Sequence, residues 1–299
     1  MTILEFQDKF STEQSIINYY IQIKYNGNLC CDHCGSDKVY HRKDKLKMYQ
    51  CETCNNNFSI FKGTIFEKSS TSLRKWFYAI HLFLNSKKGI SGCQLQREVG
   101  VTYKTAWRML KQIRTAMASK GMKDVFSSTV EIDETYIGGK PRKKNKGMQT
   151  DEFKNKRGRG SFKTPVIGII DRTSKQVYAK VALPNENNQK LTGKQLLSIL
   201  SEVTKTGTTV ISDEFRSYNI LSKSGFIHLK VDHSKEFAKD EIHTNNIESF
   251  WGILKRGIYG IYHSVSVKYM QNYINEFSFR YNNRFNENIF DTLIKNTHQ

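Results

Sequence analysis

Between residues 72 and 84, apolar residues recur at the spacing of a helix. Leu73, Trp76, Phe77, Ile80 and Leu84 mark one such stripe. Spacings of three and four residues place side chains on one face of a helix, with Ser72 available as the N-cap. The pattern predicts an amphipathic helix from about residue 72 to residue 84.

The next segment, ISGCQLQREVGVTYKTAWRMLKQIRTAM, predicts a helix, a tight turn and a second helix. Ser91 and Thr102 can cap the two helices, and Val99, Gly100 and Val101 form the turn. An inner stripe and a basic outer face are expected on the second helix. The inner stripe comprises Ala106, Met109, Leu110 and Ile113, and the outer face comprises Tyr103, Lys104, Arg108, Lys111 and Arg114. The outer face is typical of a recognition helix that contacts DNA, and a helical hairpin with a solvated face is the alternative.

Beyond about residue 127 the pattern changes to short apolar runs of strand type. The runs are STVEIDETYIGG, TPVIGIIDR, KQVYAKVAL, TTVISDEF and GFIHLKVDH, with the helix LTGKQLLSILSEV between the third and fourth. A long helix begins near Asn246. This order predicts an α/β fold in which helices flank a mixed sheet.

Two C-x2-C pairs lie near the N-terminus, Cys31 with Cys34 and Cys51 with Cys54. Each pair turns the chain so that both thiolates face a common centre, which predicts one closed structural zinc site in a zinc ribbon. Reduced cysteines without metal are the alternative. Three further residues within reach are interpreted as bystanders, namely Cys30, His33 and His41.

The charge balance indicates a polyanionic partner. The chain has 299 residues and a formal net charge of +19, with a pI near 9.6. Such a charge favours nucleic acid, with a membrane surface as the alternative. No apolar run approaches the ~20 residues that span a bilayer. The first residues lack a secretory signal, so a cytoplasmic, nucleoid-associated location is expected.

A strongly basic segment, 139–163, follows the first strand of the predicted sheet. A solvated loop is one interpretation, and a clamp for DNA phosphates beside the active site is the favoured one. The residues expected to contact DNA there are Arg142, Lys143, Lys144, Arg157 and Arg159.

Three acidic residues are candidates for a catalytic metal site. Asp133 and Asp213 lie where apolar strands give way to polar sequence, and Glu248 lies on the long helix. At about 100° per residue, Glu248 and Lys255 lie on one edge of that helix. Each acid has a structural alternative: a turn or cap for the aspartates, and a capping box with Asn245 for Glu248.

Carboxylates in this number suit phosphodiester chemistry, because three of them can hold two Mg²⁺ or Mn²⁺ ions about 3.5–4 Å apart. Lys255 would neutralise a DNA phosphate beside them.

These motifs resemble bacterial insertion-sequence transposases that have an N-terminal zinc ribbon and a DDE domain of the ISXO-like type. The resemblance runs from about residue 28 to residue 285. The motifs that carry it are CDHCGS, YQCETCNNNFS, GTIF, QLQREVGVTYKTAWRML, VEIDETYIGG, SDEFRSY, HTNNIESFWGILKRGIYGIYH and NEFSFRYNNR. One departure is Asp32, where relatives usually have proline; the four thiols remain.

The resemblance implies a ribonuclease-H-like fold with Asp133, Asp213 and Glu248 as Mg²⁺ ligands. It also implies cleavage at terminal inverted repeats, strand transfer of the 3′-hydroxyl ends into target DNA, and a homo-oligomer on DNA. The predicted domains are 1–66 with the zinc ribbon, 67–125 with the helix-turn-helix, and 126–299 for catalysis. The alternatives are a domesticated DNA-binding protein that does not cut, and a nuclease of the same fold.

Overall fold

The computed structural model describes residues 1–118, 126–138, 163–182, 191–231 and 242–298. The chain forms two compact units. The first unit combines Met1–Met117 with Asn286–Gln299, and the second unit is Ala118–Phe285. The last residues therefore belong with the N-terminal region, whereas the predicted catalytic domain extended to residue 299.

The first unit is mainly helical up to residue 117. Its helices are α1 (Ile3–Lys9), α2 (Glu13–Tyr25), α3 (Leu73–Asn85), α4 (Gly92–Val99) and α5 (Tyr103–Ala116). The side chains of Ser72, Ser91 and Thr102 each accept a backbone N–H three residues later, which confirms the predicted N-caps. Gly100 ends α4 in the left-handed region, where glycine has no Cβ penalty.

A small antiparallel sheet lies between α2 and α3 along the chain. Its strands are β1 (Val39–His41), β2 (Met48–Cys51) and β3 (Asn57–Ser59), in the order β1-β2-β3. These strands lie within KVYHRK, KMYQC and NFSIF, three segments of strand-like composition that separate and follow the cysteine pairs, as a zinc ribbon requires.

The second unit contains a five-stranded mixed sheet. The strands are β4 (Val130–Ile137), β5 (Thr164–Asp171), β6 (Val177–Val181), β7 (Thr209–Ser212) and β8 (Ile227–Lys230), in the order β6-β5-β4-β7-β8. β4, β5 and β6 pair antiparallel, whereas β7 and β8 run parallel to β4. This arrangement confirms the predicted mixed α/β fold.

Helices cover both faces of this sheet. They are α6 (Gly193–Leu200), α7 (Ile220–Lys223), α8 (Asn245–Gly257) and α9 (Val267–Asn282). Because side chains alternate along a strand, Val130 and Ile132 join the core beneath α6 and α7, while Ile137 joins the core beneath α8 and α9. Odd-numbered residues of β4 therefore face α8.

The final helix, α10 (Ile289–Lys295), packs on α2 and α3. The Phe290 ring lies 5.8 Å from the rings of both Phe10 and Phe77, and Leu293 is fully buried. The Ile65 N–H also donates to the Thr297 carbonyl at 3.0 Å. Helical periodicity identifies an apolar face but not the surface that covers it, which explains the difference from the predicted domain boundary.

Across the described ranges, no helix has the length and apolar content needed to cross a membrane.

Candidate functional site

The four cysteines of the two C-x2-C pairs converge in the first unit. Their four Sγ atoms all lie within 4.8 Å of one another. Cys31 Sγ is 3.6 Å from Cys54 Sγ, and Cys34 Sγ is 3.5 Å from Cys51 Sγ. Zn–S bonds of about 2.3 Å in a tetrahedron place sulfurs about 3.8 Å apart. The cluster therefore has the dimensions of a structural zinc site.

Both cysteine pairs fold in the same way. The N–H of the residue four positions after the first cysteine donates to that cysteine's carbonyl, from Gly35 to Cys31 at 3.1 Å and from Asn55 to Cys51 at 3.0 Å. Gly35 and Asn55 both have positive φ, a conformation that glycine and asparagine tolerate best. Each pair thus forms a tight knuckle with its thiols on the inside.

Backbone N–H groups lower the pKa of the thiols in these knuckles, but burial and the neighbouring thiols outweigh them at Cys34 and Cys54, whose pKa values are raised. Burial opposes ionisation of Cys51, but the N–H groups of Cys54 and Thr53 and the neighbouring thiols lower its pKa to about 6. A thiolate is the form that binds zinc.

The residues interpreted as bystanders lie outside this thiol cluster. Cys30 is exposed, and His41 Nε2 lies 2.7 Å from the Leu46 carbonyl oxygen. His33 contributes its backbone N–H, which donates to Cys31 Sγ at 3.4 Å.

The basic face of α5 is narrower than its sequence suggested. Tyr103, Lys104 and Lys111 are exposed. Arg108 is half-buried and donates to Ser69 Oγ at 3.2 Å.

Arg114, by contrast, is only 3% exposed, with its guanidinium 5.3 Å from the Phe83 ring centroid. Its prediction as an outer residue is wrong, because position 114 follows Leu110 by four and lies beside the inner stripe.

The outer face also includes an aromatic residue that the sequence analysis missed. Trp107 is half-buried, four residues from both Tyr103 and Lys111, and Lys111 Nζ lies 6.0 Å from its ring centroid. The spacing of four residues was the available signal.

Three carboxylates meet in the second unit. Oxygens of Asp133, Glu134 and Asp213 lie within 4.8 Å of one another. Asp133 is in β4, and Asp213 follows β7 directly. β4 and β7 are parallel neighbours, and Val130 pairs with Val210 and Glu131 with Ile211. Asp133 and Asp213, which come two residues after the second of these pairs on each strand, therefore lie next to each other.

Each of these carboxylates has an orienting partner. Trp251 Nε1 donates to Asp133 Oδ2 at 3.0 Å, and the Phe215 N–H donates to Asp213 Oδ1 at 3.0 Å. The Tyr218 hydroxyl donates to Glu134 Oε2 at 2.8 Å.

The three negative carboxylates repel one another, which favours binding of a proton or a metal cation between them. Burial, with added repulsion from Glu134 and Asp213, raises the pKa of Asp133 to about 7. Lys255 lies near enough to be affected: burial lowers its pKa, Asp133 opposes that shift and Lys163 adds to it. A cation between the carboxylates would relieve the repulsion among them.

Glu248 lies outside this group of three. It is exposed in the first turn of α8 and accepts a hydrogen bond from Thr244 Oγ1 at 2.9 Å. α8 has no side-chain N-cap and begins at Asn245, so the alternative capping box with Asn245 is absent. Glu248 is three residues from Trp251, whose indole contacts Asp133, so Glu248 lies next to Trp251 at the exposed border of that face of α8.

Gly168 allows α8 to approach the sheet at this point. Gly168 of β5 pairs with Asp133 of β4. A Cβ at position 168 would lie 2.6 Å from the Trp251 ring and 2.8 Å from Ile247 Cδ1. The missing side chain therefore makes room for the helix beside Asp133.

A family model described as the ISXO2-like transposase domain matches residues 125–282, more than half of the chain. The chain belongs to this transposase family. It is a DDE-type DNA transposase, and the comparisons favour neither the non-cutting binder nor the nuclease.

Two relatives of this transposase carry related descriptions. A protein in transposable element ISH50 of Halobacterium salinarum is 28% identical over 83% of each chain. A transposase-like protein of Haemophilus influenzae is 34% identical over 36% of this chain and 82% of its own length.

Among solved structures, a pre-cleavage Mos1 transpososome aligns with this chain at 10% sequence identity and a TM-score of 0.29. The alignment covers 75% of this chain and 79% of the Mos1 chain. A likeness of that degree carries no argument.

Two acidic residues of β4, Glu131 and Glu134, were not among the residues that the sequence predicted for this site. Both are visible in the printed motif VEIDET, as carboxylates inside an apolar run. The alternation of strand side chains argued against placing Glu134 with Asp133, since neighbours point to opposite faces. The predicted residues 142–144, 157 and 159 lie outside the described residues.

Proposed function

We propose that this transposase cuts DNA at the terminal inverted repeats of an insertion sequence and joins the freed 3′-hydroxyl ends to target DNA. The convergence of Asp133 and Asp213 beside α8, which carries Glu248 and Lys255, is the observation that supports this most directly. Asp133 and Asp213 come from two neighbouring strands of the sheet, and α8 contacts Asp133 through the Trp251 indole.

The donor set fits divalent metal ions. Carboxylate oxygens are the ligands that Mg²⁺ and Mn²⁺ prefer, and Asp133 and Asp213 lie close enough to share an ion. Asp133, Asp213 and Glu248 would hold the metal, with Glu134 in reach. When bound, two such ions supply an activated hydroxyl and stabilisation of the leaving oxygen.

The protein's own residues orient the reaction. Trp251 holds the Asp133 carboxylate by its indole N–H, and Lys255 offers a cation for a DNA phosphate beside it. Such fixed groups would position the scissile strand beside the carboxylates.

The first unit would supply DNA recognition. A zinc ion held by Cys31, Cys34, Cys51 and Cys54 would fold the ribbon, and α5 would present Tyr103, Lys104 and Lys111 to double-stranded DNA. Arg108 remains a proposed contact, with its guanidinium held by Ser69. The basic segment 139–163 would clamp phosphates, with Arg142, Lys143, Lys144, Arg157 and Arg159 as the contacts.

Pairing of two element ends requires two copies of the catalytic site. We therefore expect a homo-oligomer on DNA.

The decisive experiment is nicking of a supercoiled plasmid that carries the flanks of the gene. Wild type, Asp213→Asn and Glu248→Gln are compared with Mg²⁺ or Mn²⁺ at matched DNA binding. We expect both variants to bind the plasmid and neither to cut it, because each lacks one metal ligand.

Glu202→Gln is the matched control. Glu202 accepts from Lys180 Nζ and the Tyr178 hydroxyl, both at 2.6 Å, so the control loses a paired carboxylate of the same unit. It should cut like wild type. Undiminished cutting by Asp213→Asn and Glu248→Gln would refute the assigned site, and wild type that binds without cutting would favour a non-cutting DNA-binding protein.

Strand transfer needs a separate assay with pre-cleaved ends. Joined products establish transposition, whereas cleavage without joining would indicate a nuclease of the same fold.

A further inference from the structure

A second buried carboxylate, Glu131, lies on β4 two residues before Asp133 and is 0% exposed. It accepts hydrogen bonds from Arg172 Nε at 2.9 Å and from Asn246 Nδ2 at 2.6 Å. A buried carboxylate is costly unless it is paired and hydrogen-bonded, and Glu131 meets both conditions. None of the chemistry above uses it.

The remaining bonds of Glu131 are to the start of α8. Its Oε2 accepts the backbone N–H groups of Asn246 at 3.0 Å and of Ile247 at 3.2 Å. First-turn N–H groups have no partner within a helix, and the N-cap residue Thr244 makes no side-chain capping bond. Glu131 therefore caps α8 from a different element of the fold.

Arg172 extends this anchor to the residue before the helix. Arg172 follows β5, and its NH2 group donates to the His243 carbonyl at 2.7 Å while its Nε binds Glu131. The start of α8 is thus fixed to both β4 and the end of β5.

The anchored turn is the one that carries Glu248. Glu131 and Asp133 lie on the same face of β4, about 7 Å apart along the strand. We propose that Glu131 is a positioning residue, which fixes the first turn of α8 so that Glu248 can act with Asp133 and Asp213. This inference rests on the proposed role of Glu248 as a metal ligand.

Glu131 acts through α8 and not as a ligand itself, because its two oxygens already accept four hydrogen bonds. Its negative charge also suits the positive end of the helix dipole.

The test is Mn²⁺ binding to the full chain by calorimetry, with Asp133→Asn/Asp213→Asn as the blank. Glu131→Gln keeps the shape of the side chain but removes its charge and half of its acceptor capacity. Loss of a residue that orients metal ligands lowers metal affinity about 10- to 100-fold. We expect a loss of that size in Glu131→Gln, with zinc content and DNA binding unchanged.

Two further variants accompany it. Glu202→Gln removes a paired carboxylate that does not contact α8, and it should bind Mn²⁺ like wild type. Arg172→Lys keeps the charge but cannot reach both Glu131 and the His243 carbonyl, so it should weaken Mn²⁺ binding in the same direction. If Glu131→Gln fails to fold, Arg172→Lys decides.

Wild-type Mn²⁺ affinity in Glu131→Gln would overturn the inference, even if its melting temperature fell, since a purely structural role predicts that pattern. Glu248→Gln is measured in parallel. A loss of affinity in Glu248→Gln but not in Glu131→Gln refutes the positioning role alone. Wild-type affinity in Glu248→Gln refutes the proposed ligand and the positioning role with it.

Discussion

The cysteine cluster and the carboxylate cluster are both suited to metal ions, but they are built in opposite ways. The thiols come from two knuckles that each close within five residues, with the same hydrogen bond in both. The carboxylates of Asp133, Glu134 and Asp213 come from one strand and the end of another, up to 80 residues apart in sequence, and the proposed ligand Glu248 lies on a helix 115 residues after Asp133.

This difference explains what each cluster can do. Four thiolates close a tetrahedral site, which leaves no position for a substrate and serves folding. The carboxylates lie on and just after two inner strands, β4 and β7, and they are only partly buried, with Glu248 exposed, so this site remains open to a substrate. A site built locally and a site built from distant elements should respond differently to substitution.

The largest effect is expected from Cys51→Ser. Apparent binding free energies for structural zinc are about 10–16 kcal/mol, so loss of one thiolate should abolish zinc retention and unfold the ribbon. Zinc content by atomic emission and the circular dichroism melt of the full chain measure this. Cys30→Ser, next to the cluster but outside it, should keep one zinc per chain; equal zinc in both variants would contradict the assigned ligands.

Lys255→Met should slow cleavage about 10- to 100-fold, because a charge-assisted contact of 1.5–3 kcal/mol is lost. The neighbouring exposed cation, Arg256, supplies the control. Arg256→Met should cleave within about twofold of wild type, and cleavage rates are measured at saturating DNA. Equal losses in both variants would mean that general charge matters rather than the position of Lys255.

Gly168→Ala tests how closely α8 must approach the sheet. The added methyl overlaps the Trp251 ring, and overpacking of this kind costs about 1–3 kcal/mol. Denaturant unfolding should show that loss, together with weaker Mn²⁺ binding. Gly260→Ala is the control, since a Cβ there meets no atom within 4 Å. A stable Gly168→Ala chain with unchanged Mn²⁺ affinity would contradict the packing argument.

The smallest effect concerns pH. Folded Asp133 keeps its proton up to about pH 7, whereas an unfolded aspartate loses it near pH 4. The folded state binds more protons across that window, so this group's contribution to stability falls as pH rises from about 4 to about 7.

Thermal melts in buffer without Mg²⁺ or Mn²⁺ measure this contribution. Wild type should lose melting temperature relative to Asp133→Asn between pH 5 and pH 8. A difference that stays constant with pH would show that Asp133 titrates normally.

Local patterns predicted much of this molecule. The caps at Ser72, Ser91 and Thr102, the cysteine knuckles and the order of strands and helices all follow from spacing and residue type. Arg114 shows where such reasoning fails. A residue on the border of a helical stripe can face either way, and only its packing against Phe83 decides.

The sequence by itself determined which four cysteines cluster, the helix-turn-helix and the choice of Asp133 and Asp213 as candidate metal ligands. These depend on turns, caps and periodicities that act over a few residues. Tertiary structure alone decided that Glu134 joins the carboxylates, that Glu131 caps α8 and that α10 packs on α2 and α3. Each of those contacts joins residues whose meeting depends on how whole elements pack, which no local pattern encodes.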